Sequence, residues 1–465
     1  MRNIPWRLWF FVGLFFLVLA IFLINVFQRT DHVYGGDEPH YLVMAESIAV
    51  DRDFDLASDY ASERYRAYYG GRLDPHISTN HQPDDFDQSY SIHGYGMGIL
   101  LAIPFAFGGP FGVDVAMVLV GFGVCIALYA WTRQLTNSHL AAGLSVVGLA
   151  TSSVFLANFG YIYPDLPIAG LLLAALLLLS HKPTIGRYLL VSLIAGIAVW
   201  LHFKTVFIFA PVTLWALFRL WQERMSVRDT IVRLVALAGP GLVLFGTMLV
   251  LFHRWYNVWV PSQIYPPTAA LGDVSPFVTL PAMLWDADKG ILITSVFFWL
   301  VFACLPVVFV ARRQVFWLIM SATLPTCALL ATFSDWSGGY APNGRYLLEV
   351  LPVFAAGIGL AFSLGRNRIL ALIAVLALVG QSVLSAGLLA TDAQVFILGV
   401  RNPIYPLIEE RYGLAVDQFL AHFTLTDVVD GSISLSVAVL LALMLVGLGV
   451  SWAASFSGRE RAKPL

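Results

Sequence analysis

Apolar stretches of 18 or more residues recur along the whole 465-residue chain and constrain its fold more than any other feature. A helix of that length can cross the ~30 Å hydrocarbon core of a membrane. The sequence predicts about twelve such spans. They lie near residues 7–27, 112–131, 138–157, 164–181, 187–203, 205–221, 231–252, 290–311, 314–333, 344–364, 368–390 and 433–453.

Composition points to the same class of protein. Hydrophobic residues make up 58% of the chain and charged residues 12%, whereas about a quarter of the residues of a soluble domain are charged. We therefore expect an all-α membrane protein with a single domain over residues 1–465. The apolar run 95–109 is short and contains Gly and Pro, so we expect it to be re-entrant or interfacial.

Basic residues predict the orientation, because short cytoplasmic loops carry an excess of Lys and Arg. With a cytoplasmic N-terminus, 16 of the 27 basic residues fall on short inner segments. These are Arg2, Arg7, Arg133, Lys182, Arg187, Arg219, Arg224, Arg228, Arg233, Arg312, Arg313, Arg366, Arg368, Arg459, Arg461 and Lys463. The alternation predicts an even number of spans with both termini in the cytoplasm.

This topology places four loops on the outer face, residues 28–95, 253–289, 334–343 and 391–432. The first holds 13 Asp and Glu residues between Asp31 and Asp87, and we expect it to carry interfacial helices. Most of these carboxylates are expected to be solvated. His76 and His81 with Asp84 and Asp85 have a spacing that matches no strong metal-binding template. No metal ion or other cofactor is therefore predicted, although the acidic loop leaves a divalent metal possible.

The sequence Gly-Gly-Asp37-Glu38-Pro39 follows the first span directly. It has two interpretations that are compatible. Asp37 can be the N-cap of a short helix with Pro39 in its first turn. It can also be a general base that accepts a proton from an attacking hydroxyl at the membrane surface.

Two further segments lead back to the membrane on the same side. His93-Gly-Tyr95-Gly-Met-Gly follows the acidic loop, and its glycines permit either close backbone approach or a flexible re-entry. His93 is a candidate substrate contact. Asp165 stands at the outer end of the fourth span, where a carboxylate can be a helix cap or a substrate ligand.

Cationic residues lie at two outer helix ends. Lys204, after His202, joins two apolar helices, and it is either a functional group or a side chain that extends to the interface. Arg345 begins a span after a loop rich in Gly and aromatic residues. It can bind phosphate oxygens as a guanidinium fork, or pair with Glu349 one turn on.

A resemblance to a known superfamily rests on four motifs. They are Gly36-Asp37-Glu38-Pro39-His40-Tyr41-Leu42, His93-Gly94-Tyr95-Gly96, Trp200-Leu-His202-Phe-Lys204 and Gly344-Arg345-Tyr346-Leu-Leu-Glu-Val-Leu-Pro352. These look like the GT-C integral-membrane glycosyltransferases, and more narrowly their bacterial members related to dolichyl-phosphate-mannose protein mannosyltransferases. The resemblance implies a GT-C-like bundle of spans with an acidic first outer loop.

The resemblance also implies roles for individual residues. Asp37 would activate the acceptor hydroxyl, Glu38 would complete the acidic pair, and Arg345 would hold the phosphate. Lys289 stands where relatives carry an arginine, and the Tyr-Ser-Pro that follows in relatives is missing here, which leaves the role of Lys289 open. The remaining substrate-binding candidates are Lys204, His93, Tyr95, Tyr346, His202 and Asp165.

These features together predict an inverting glycosyltransferase in the plasma (inner) membrane, with its active site on the extracytoplasmic face. No ATP or nucleotide sugar is available on that face, so the sugar donor must arrive on a lipid such as a polyprenyl phosphate. The acceptor would be a hydroxyl on a glycan, lipid or protein. No nucleic-acid partner is expected.

Two other classes of protein remain as alternatives. A transporter or lipid flippase would use Lys204 and Asp165 as intramembrane substrate sites, although no inverted repeat is visible. A structural subunit of an envelope-assembly complex would leave the outer polar groups far apart.

The topology can be tested by cysteine labelling from the outer face of intact cells. A membrane-impermeant thiol reagent should modify a cysteine introduced within residues 60–90 and should miss one placed near Arg228. The reverse pattern would put Asp37 on the side of the nucleotide sugars and would contradict the predicted chemistry.

Overall fold

The structure is a computed structural model. It describes residues 34–78, 89–223, 225–259, 261–264, 276–286, 289–333, 344–364 and 368–391, together with scattered positions beyond residue 408.

Helices dominate the described residues. The α-helices are α1 (Glu38–Glu46), α2 (Ala57–Ala61), α3 (Tyr95–Thr136), α4 (His139–Ala150), α5 (Ser153–Asn158), α6 (Asp165–Leu179), α7 (Ile185–Leu201), α8 (Val206–Gln222), α9 (Val227–Tyr256), α10 (Pro276–Trp285), α11 (Ile291–Thr294), α12 (Val296–Ala311), α13 (Arg313–Leu330), α14 (Leu351–Leu364) and α15 (Arg368–Thr391). Short 3₁₀ helices cover Arg64–Ala67, Phe203–Thr205, Pro261–Ile264 and Arg345–Leu347, and Ser47–Asp51 forms a π-helix. Two short strands, β1 (His422–Phe423) and β2 (Val429–Asp430), pair antiparallel with His422 opposite Asp430.

The prediction of an all-α membrane protein is confirmed. Within the described part of the chain, four helical segments are long and apolar enough to cross a membrane. They are Tyr95–Thr136, Phe203–Gln222, Val227–Tyr256 and Arg313–Leu330. Six shorter apolar helices accompany them. The predicted span 7–27 lies wholly outside the described residues. Most of the predicted span 433–453 and most of the predicted loop 391–432 also lie outside them.

Three predicted spans are divided in the structure. The span 138–157 is broken between α4 and α5, where the Ser152 side chain accepts a hydrogen bond from the Phe155 N–H and starts a new helix. Ser295 divides the span 290–311 in the same way by capping α12. The span 344–364 begins with a 3₁₀ turn, and α14 starts only at Leu351. Such serine caps compete locally with the helix and interrupt an otherwise apolar run.

The run 95–109 is helical and forms the first arm of α3. The backbone leaves the helical region at Gly109 (φ 56°, ψ −146°), and a side chain at Gly112 would collide with the Pro104 carbonyl. The arm of 15 residues is about 22 Å long, which is short of a ~30 Å hydrocarbon core. A re-entrant or interfacial position for this arm remains a prediction.

Contacts within the chain define two compact units. The first unit contains the described residues within 29–121 and 160–270, and the second unit contains those within 122–159 and 271–465. Helix α3 runs from the first unit into the second, so this division does not test the prediction of a single domain.

Small residues allow close helix packing in the first unit. A Cβ at Gly196 of α7 would lie 2.9 Å from the Leu244 Cβ of α9. The Gly241 N–H donates to the Ser192 Oγ over 2.9 Å, and the Trp200 indole donates to the Leu244 carbonyl over 2.9 Å. Helices in membranes gain stability from such close approach and from polar contacts between them.

The second unit uses the same device between α4 and α14. The Gly359 N–H donates to the Ser145 Oγ over 3.1 Å, and a side chain at Gly359 would overlap this hydroxyl. Gln381 of α15 is buried and bridges three segments. Its amide donates to the Gly148 carbonyl (3.1 Å) and to the Thr151 hydroxyl (3.0 Å), and its oxygen accepts from Ser295 (3.1 Å).

Candidate active site

The turn before α1 is shaped by a glycine and a tyrosine. Gly36 has φ +58°, and any side chain there would collide with the Tyr163 hydroxyl. That hydroxyl lies 3.4 Å from the Asp37 nitrogen and donates to the Gly35 carbonyl, also over 3.4 Å. The left-handed backbone and the tyrosine together fix the direction in which the chain enters α1.

Glu38 is completely buried. Its carboxylate accepts hydrogen bonds from the Gly35 N–H (3.2 Å) and from the Ile162 N–H (3.1 Å). A buried carboxylate is stable only when its oxygens are satisfied. The structure therefore places Glu38 as an anchor that joins the turn to the segment before α6, and a direct role for Glu38 in catalysis remains a prediction.

Asp37 occupies the N-cap position of α1 but makes no capping hydrogen bond with its side chain. A quarter of this side chain is exposed. Its Oδ1 lies 3.8 Å from the His76 Nδ1 and 3.9 Å from the His93 Nε2. The capping interpretation of Asp37 is thus not supported, and the carboxylate faces two imidazoles instead of the helix backbone.

A short antiparallel bridge brings the two imidazoles together. Ile77 pairs with Ser91, and the Ile92 N–H donates to the His76 carbonyl over 3.1 Å. His76 Nδ1 and His93 Nε2 are consequently 3.0 Å apart. The ligand atoms of Asp37, His76 and His93 all lie within 4.8 Å of one another, so these three residues could hold a metal ion.

His40 completes the cluster from α1. Its ring stacks on His76 with centroids 3.6 Å apart, and its Nδ1 lies 2.8 Å from the Tyr60 hydroxyl. Burial, and then the neighbouring His76 and His93, lowers the pKa of His40 to about 2. Burial also lowers the pKa of His76. Both imidazoles are therefore neutral near pH 7.

Sequence reasoning did not assign His40 and His76 to the site. The spacing of Asp37 and His40, three residues apart on one helix, was a usable signal because such residues share a face. His76 was visible only as part of a group with His81, Asp84 and Asp85, and these three residues lie outside the described part of the chain. The pairing of Ile77 with Ser91 could not be read from the sequence.

Another acidic group in the same loop forms a separate structural cluster. The Arg64 guanidinium contacts Asp51, Asp59 and Glu46. Burial raises the pKa of Asp59 to about 6 against the opposing effect of Arg64. This guanidinium holds the loop helices together, so these carboxylates have a structural explanation.

The glycines after His93 allow the backbone to approach another segment closely, which is one of the two possibilities predicted from the sequence. A Cβ at Gly94 or Gly96 would lie within 3 Å of the backbone of residues 200–201 at the end of α7. The buried Tyr95 hydroxyl accepts from the Ser91 N–H (2.9 Å) and donates to the Phe54 carbonyl (2.7 Å). Tyr95 therefore orders the segment that carries His93.

Lys204 and Asp165 form a buried ion pair. The Lys204 Nζ lies 2.9 Å from the Asp165 Oδ1, and the two side chains are 9% and 1% exposed. The His202 imidazole accepts the Lys204 N–H over 3.3 Å and caps the intervening 3₁₀ turn. This geometry favours a structural role for both charges over phosphate binding. Substrate roles for Lys204, Asp165 and His202 remain predictions.

Arg345 and Lys289 line one cleft in the second unit. The cleft has an empty volume of about 280 Å³ including open solvent, and its lining also includes Tyr346 and Gly344. The Arg345 guanidinium stacks on the Tyr346 ring at 4.8 Å. The Lys289 backbone N–H donates to Asp286 over 2.8 Å, which orients the turn. Arg345, the predicted phosphate ligand, thus shares one cleft with Lys289, and Tyr346 lies beside them.

No protein-family model matches the chain, and no curated protein matches it. Among solved structures it is similar to ArnT from Cupriavidus metallidurans in the apo state, with a TM-score of 0.49, 15% identity, and coverage of 95% of this chain and 74% of ArnT. The same protein bound to undecaprenyl phosphate gives a TM-score of 0.46 at 13% identity, with coverage of 95% and 78%.

An archaeal oligosaccharyltransferase from Archaeoglobus fulgidus is also similar, with a TM-score of 0.48, 14% identity, and 91% of this chain covered. The chain spans 61% of that protein. These proteins belong to the GT-C superfamily that the motifs of the chain resemble.

The ion pair can be tested through stability. Lys204→Met should lower the free energy of unfolding by about 3–5 kcal/mol, because it leaves the buried Asp165 carboxylate without its cation. Thermal unfolding of the purified protein in detergent measures this change. Lys182→Met removes an exposed lysine and should have little effect.

The double variant Asp165→Asn/Lys204→Met should recover part of the lost stability, because no buried charge is then left alone. Unchanged stability of Lys204→Met combined with lost sugar transfer would instead identify Lys204 as a substrate ligand.

Proposed function

We propose that the chain is a membrane glycosyltransferase that transfers a sugar from a polyprenyl phosphate to an acceptor hydroxyl at the extracytoplasmic face, with inversion at the sugar carbon. The observation that carries the proposal is the placement of Asp37. Its carboxylate is partly exposed, makes no helix cap, and is held by a turn whose neighbour Glu38 is locked into the protein.

A general base must be fixed in position and able to reach its proton. The Glu38 anchor, the Tyr163 hydroxyl and the start of α1 fix the backbone of Asp37. Its neighbours His40 and His76 are neutral near pH 7. Their neutrality matters because a positive charge beside a carboxylate would lower its pKa and make it a weaker base.

The cationic cleft supports a donor that carries a phosphate. Arg345 offers a planar guanidinium fork that suits phosphate oxygens, and Lys289 adds a second cation in the same cleft. Undecaprenyl phosphate is bound in one of the similar structures and a dolichol-phosphate in another, so polyprenyl-phosphate sugars are the donors to test. The sugar and the acceptor are left open.

The proposed reaction is a single displacement. The acceptor oxygen attacks the anomeric carbon while Asp37 accepts its proton. The bond between that carbon and the phosphate oxygen breaks, and negative charge grows on the departing lipid phosphate. A cation beside that phosphate stabilises the transition state more than the bound donor, and the sequence predicts Arg345 and Lys289 as candidates for this role.

Asp37→Asn should lower turnover by about 10²-fold or more, the usual scale for loss of a general base, with the fold and donor binding largely intact. The assay follows transfer from a panel of undecaprenyl-phosphate sugars to envelope glycan or lipid acceptors. Asp74→Asn, an exposed carboxylate of the same loop, serves as the matched control and should retain wild-type turnover.

Glu38→Gln separates the two members of the acidic pair. It should reduce stability more than it reduces turnover per folded molecule, because Glu38 accepts two backbone hydrogen bonds. If Asp37→Asn is active and a folded Glu38→Gln is inactive, the base is Glu38. If both variants are fully active, the proposed site is wrong.

Arg345→Ala should lower turnover by about 10²-fold, the scale for loss of one group that stabilises transition-state charge. Arg345→Lys should recover only part of the activity, because a point charge replaces a bidentate fork. The same transfer assay measures both variants. Arg313→Ala removes an exposed arginine and should leave turnover unchanged. Equal turnover of wild type and Arg345→Ala would show that Arg345 is structural.

A further inference from the structure

A cleft with basic side chains lies at the end of α6 that is opposite to Asp165. Its lining includes Arg187 of α7, Arg219 of α8 and His181 of the turn between α6 and α7, and its empty volume is about 230 Å³ including open solvent. The alternation of basic loops predicts that this end of the helices is cytoplasmic. The cleft is therefore expected on the other side of the membrane from Asp37 and is not part of the candidate active site.

Backbone carbonyls hold both guanidinium groups in the cleft. The Arg219 guanidinium donates a hydrogen bond to the Leu179 carbonyl at the end of α6, and its Cζ lies 5.1 Å from the centre of the Trp215 ring. The Arg187 guanidinium donates a hydrogen bond to the Lys182 carbonyl. A guanidinium has several N–H donors, so each arginine keeps donors with which it can bind an anion.

No carboxylate pairs with either arginine within the described part of the chain. Residues 166–222 contain no Asp or Glu, and Glu223, the next acidic residue, pairs with Arg233 of α9 over 2.7 Å. By contrast, Arg64 and Lys204 of the same unit are neutralised by carboxylates. The positive charge of the cleft is thus available to an anionic ligand.

The helices that carry the two arginines expose large apolar side chains close to them in sequence. Phe218, next to Arg219, is 48% exposed, and Trp221 in the same part of α8 is 80% exposed. Leu190, three residues after Arg187 on α7, is 48% exposed. In a membrane protein such side chains face lipid, and Trp is enriched where helices meet the headgroups. A ligand in the cleft would therefore lie beside lipid headgroups.

We propose that the cleft binds the phosphate of an anionic phospholipid from the cytoplasmic leaflet, with Arg187 and Arg219 as its ligands. Guanidinium forks match phosphate oxygens, and the His181 ring has an N–H that can donate to the same group. Basic pockets between transmembrane helices on the cytoplasmic side bind such headgroups. The acyl chains would lie along the exposed apolar sides of α7 and α8. The site and its test do not depend on the proposed sugar transfer.

The experiment measures lipid binding by the delipidated full-length protein in detergent, with native mass spectrometry as the readout. The probe is dioleoyl phosphatidylglycerol. Dioleoyl phosphatidylcholine is titrated in parallel, because its choline group neutralises its own phosphate. We expect the wild type to bind phosphatidylglycerol more tightly than phosphatidylcholine.

Arg187→Gln and Arg219→Gln should each weaken the binding of one phosphatidylglycerol by about tenfold or more, the scale for a lost hydrogen bond to a charged group. Arg219→Lys should recover part of this affinity, because it restores the charge without the fork. The matched control is Arg228→Gln, which removes an exposed arginine from α9 at the same end of the helices. This control should bind phosphatidylglycerol as the wild type does, and a thermal unfolding curve confirms that each variant folds.

Inorganic phosphate separates a lipid ligand from a soluble anion. It should leave the bound phosphatidylglycerol in place at equal concentration, since it has no acyl chains to cover the apolar sides of α7 and α8. Displacement of the lipid by inorganic phosphate under these conditions would show that the cleft binds a soluble phosphate, and it would overturn the proposal.

Three other results would also overturn the site. Equal affinity of the wild type and both folded glutamine variants would leave the two arginines as groups that only satisfy backbone carbonyls near the end of α6. An equal loss of affinity in Arg228→Gln would show that the overall surface charge attracts the lipid. Equal binding of phosphatidylcholine and phosphatidylglycerol by the wild type would show that the cleft does not select an anionic headgroup.

Discussion

The buried carboxylate of Glu38 is the interaction on which the candidate site depends. It joins the turn at Gly35 to the backbone of Ile162 and is shielded from water. Breaking a buried, hydrogen-bonded charge costs several kcal/mol, so this link holds the start of α1 firmly against the segment before α6. Asp37 gains its fixed position from that link, and it can stay partly exposed because its neighbour satisfies the backbone. One member of the acidic pair therefore organises the site, and the other is left available for chemistry.

Charge in the first unit is handled in two different ways. Lys204 and Asp165 neutralise each other where both are almost fully buried, and Arg64 gathers three loop carboxylates. These groups stabilise the fold. The cluster around Asp37 instead combines one carboxylate with imidazoles, of which His40 and His76 are neutral near pH 7. Such a group can accept a proton or bind a cation without first breaking an ion pair. This contrast distinguishes the candidate site from the other polar clusters of the unit.

Some features of the structure were predicted from the sequence, and others were not. The alternation of apolar and basic segments predicted the helical membrane fold, because hydrophobic length and loop charge act locally along the chain. Close backbone approach was one of the two roles predicted for Gly94 and Gly96, and the structure shows it. Lys204 was predicted to be either a functional group or a side chain that extends to the interface, yet it contacts Asp165, a partner 39 residues away. Ser152 and Ser295 divided predicted spans, since a single capping hydroxyl has little effect on hydropathy.

The sequence by itself determined the class of fold and the position of Asp37 at the end of an apolar run, since both depend on composition and near neighbours. Tertiary structure alone decided which histidines face that carboxylate. His76 and His93 meet only because Ile77 pairs with Ser91, and Glu38 becomes an anchor only where Ile162 presents its N–H. Contacts between residues so distant in sequence are selected by packing and by the satisfaction of buried polar groups, which involve many segments at once.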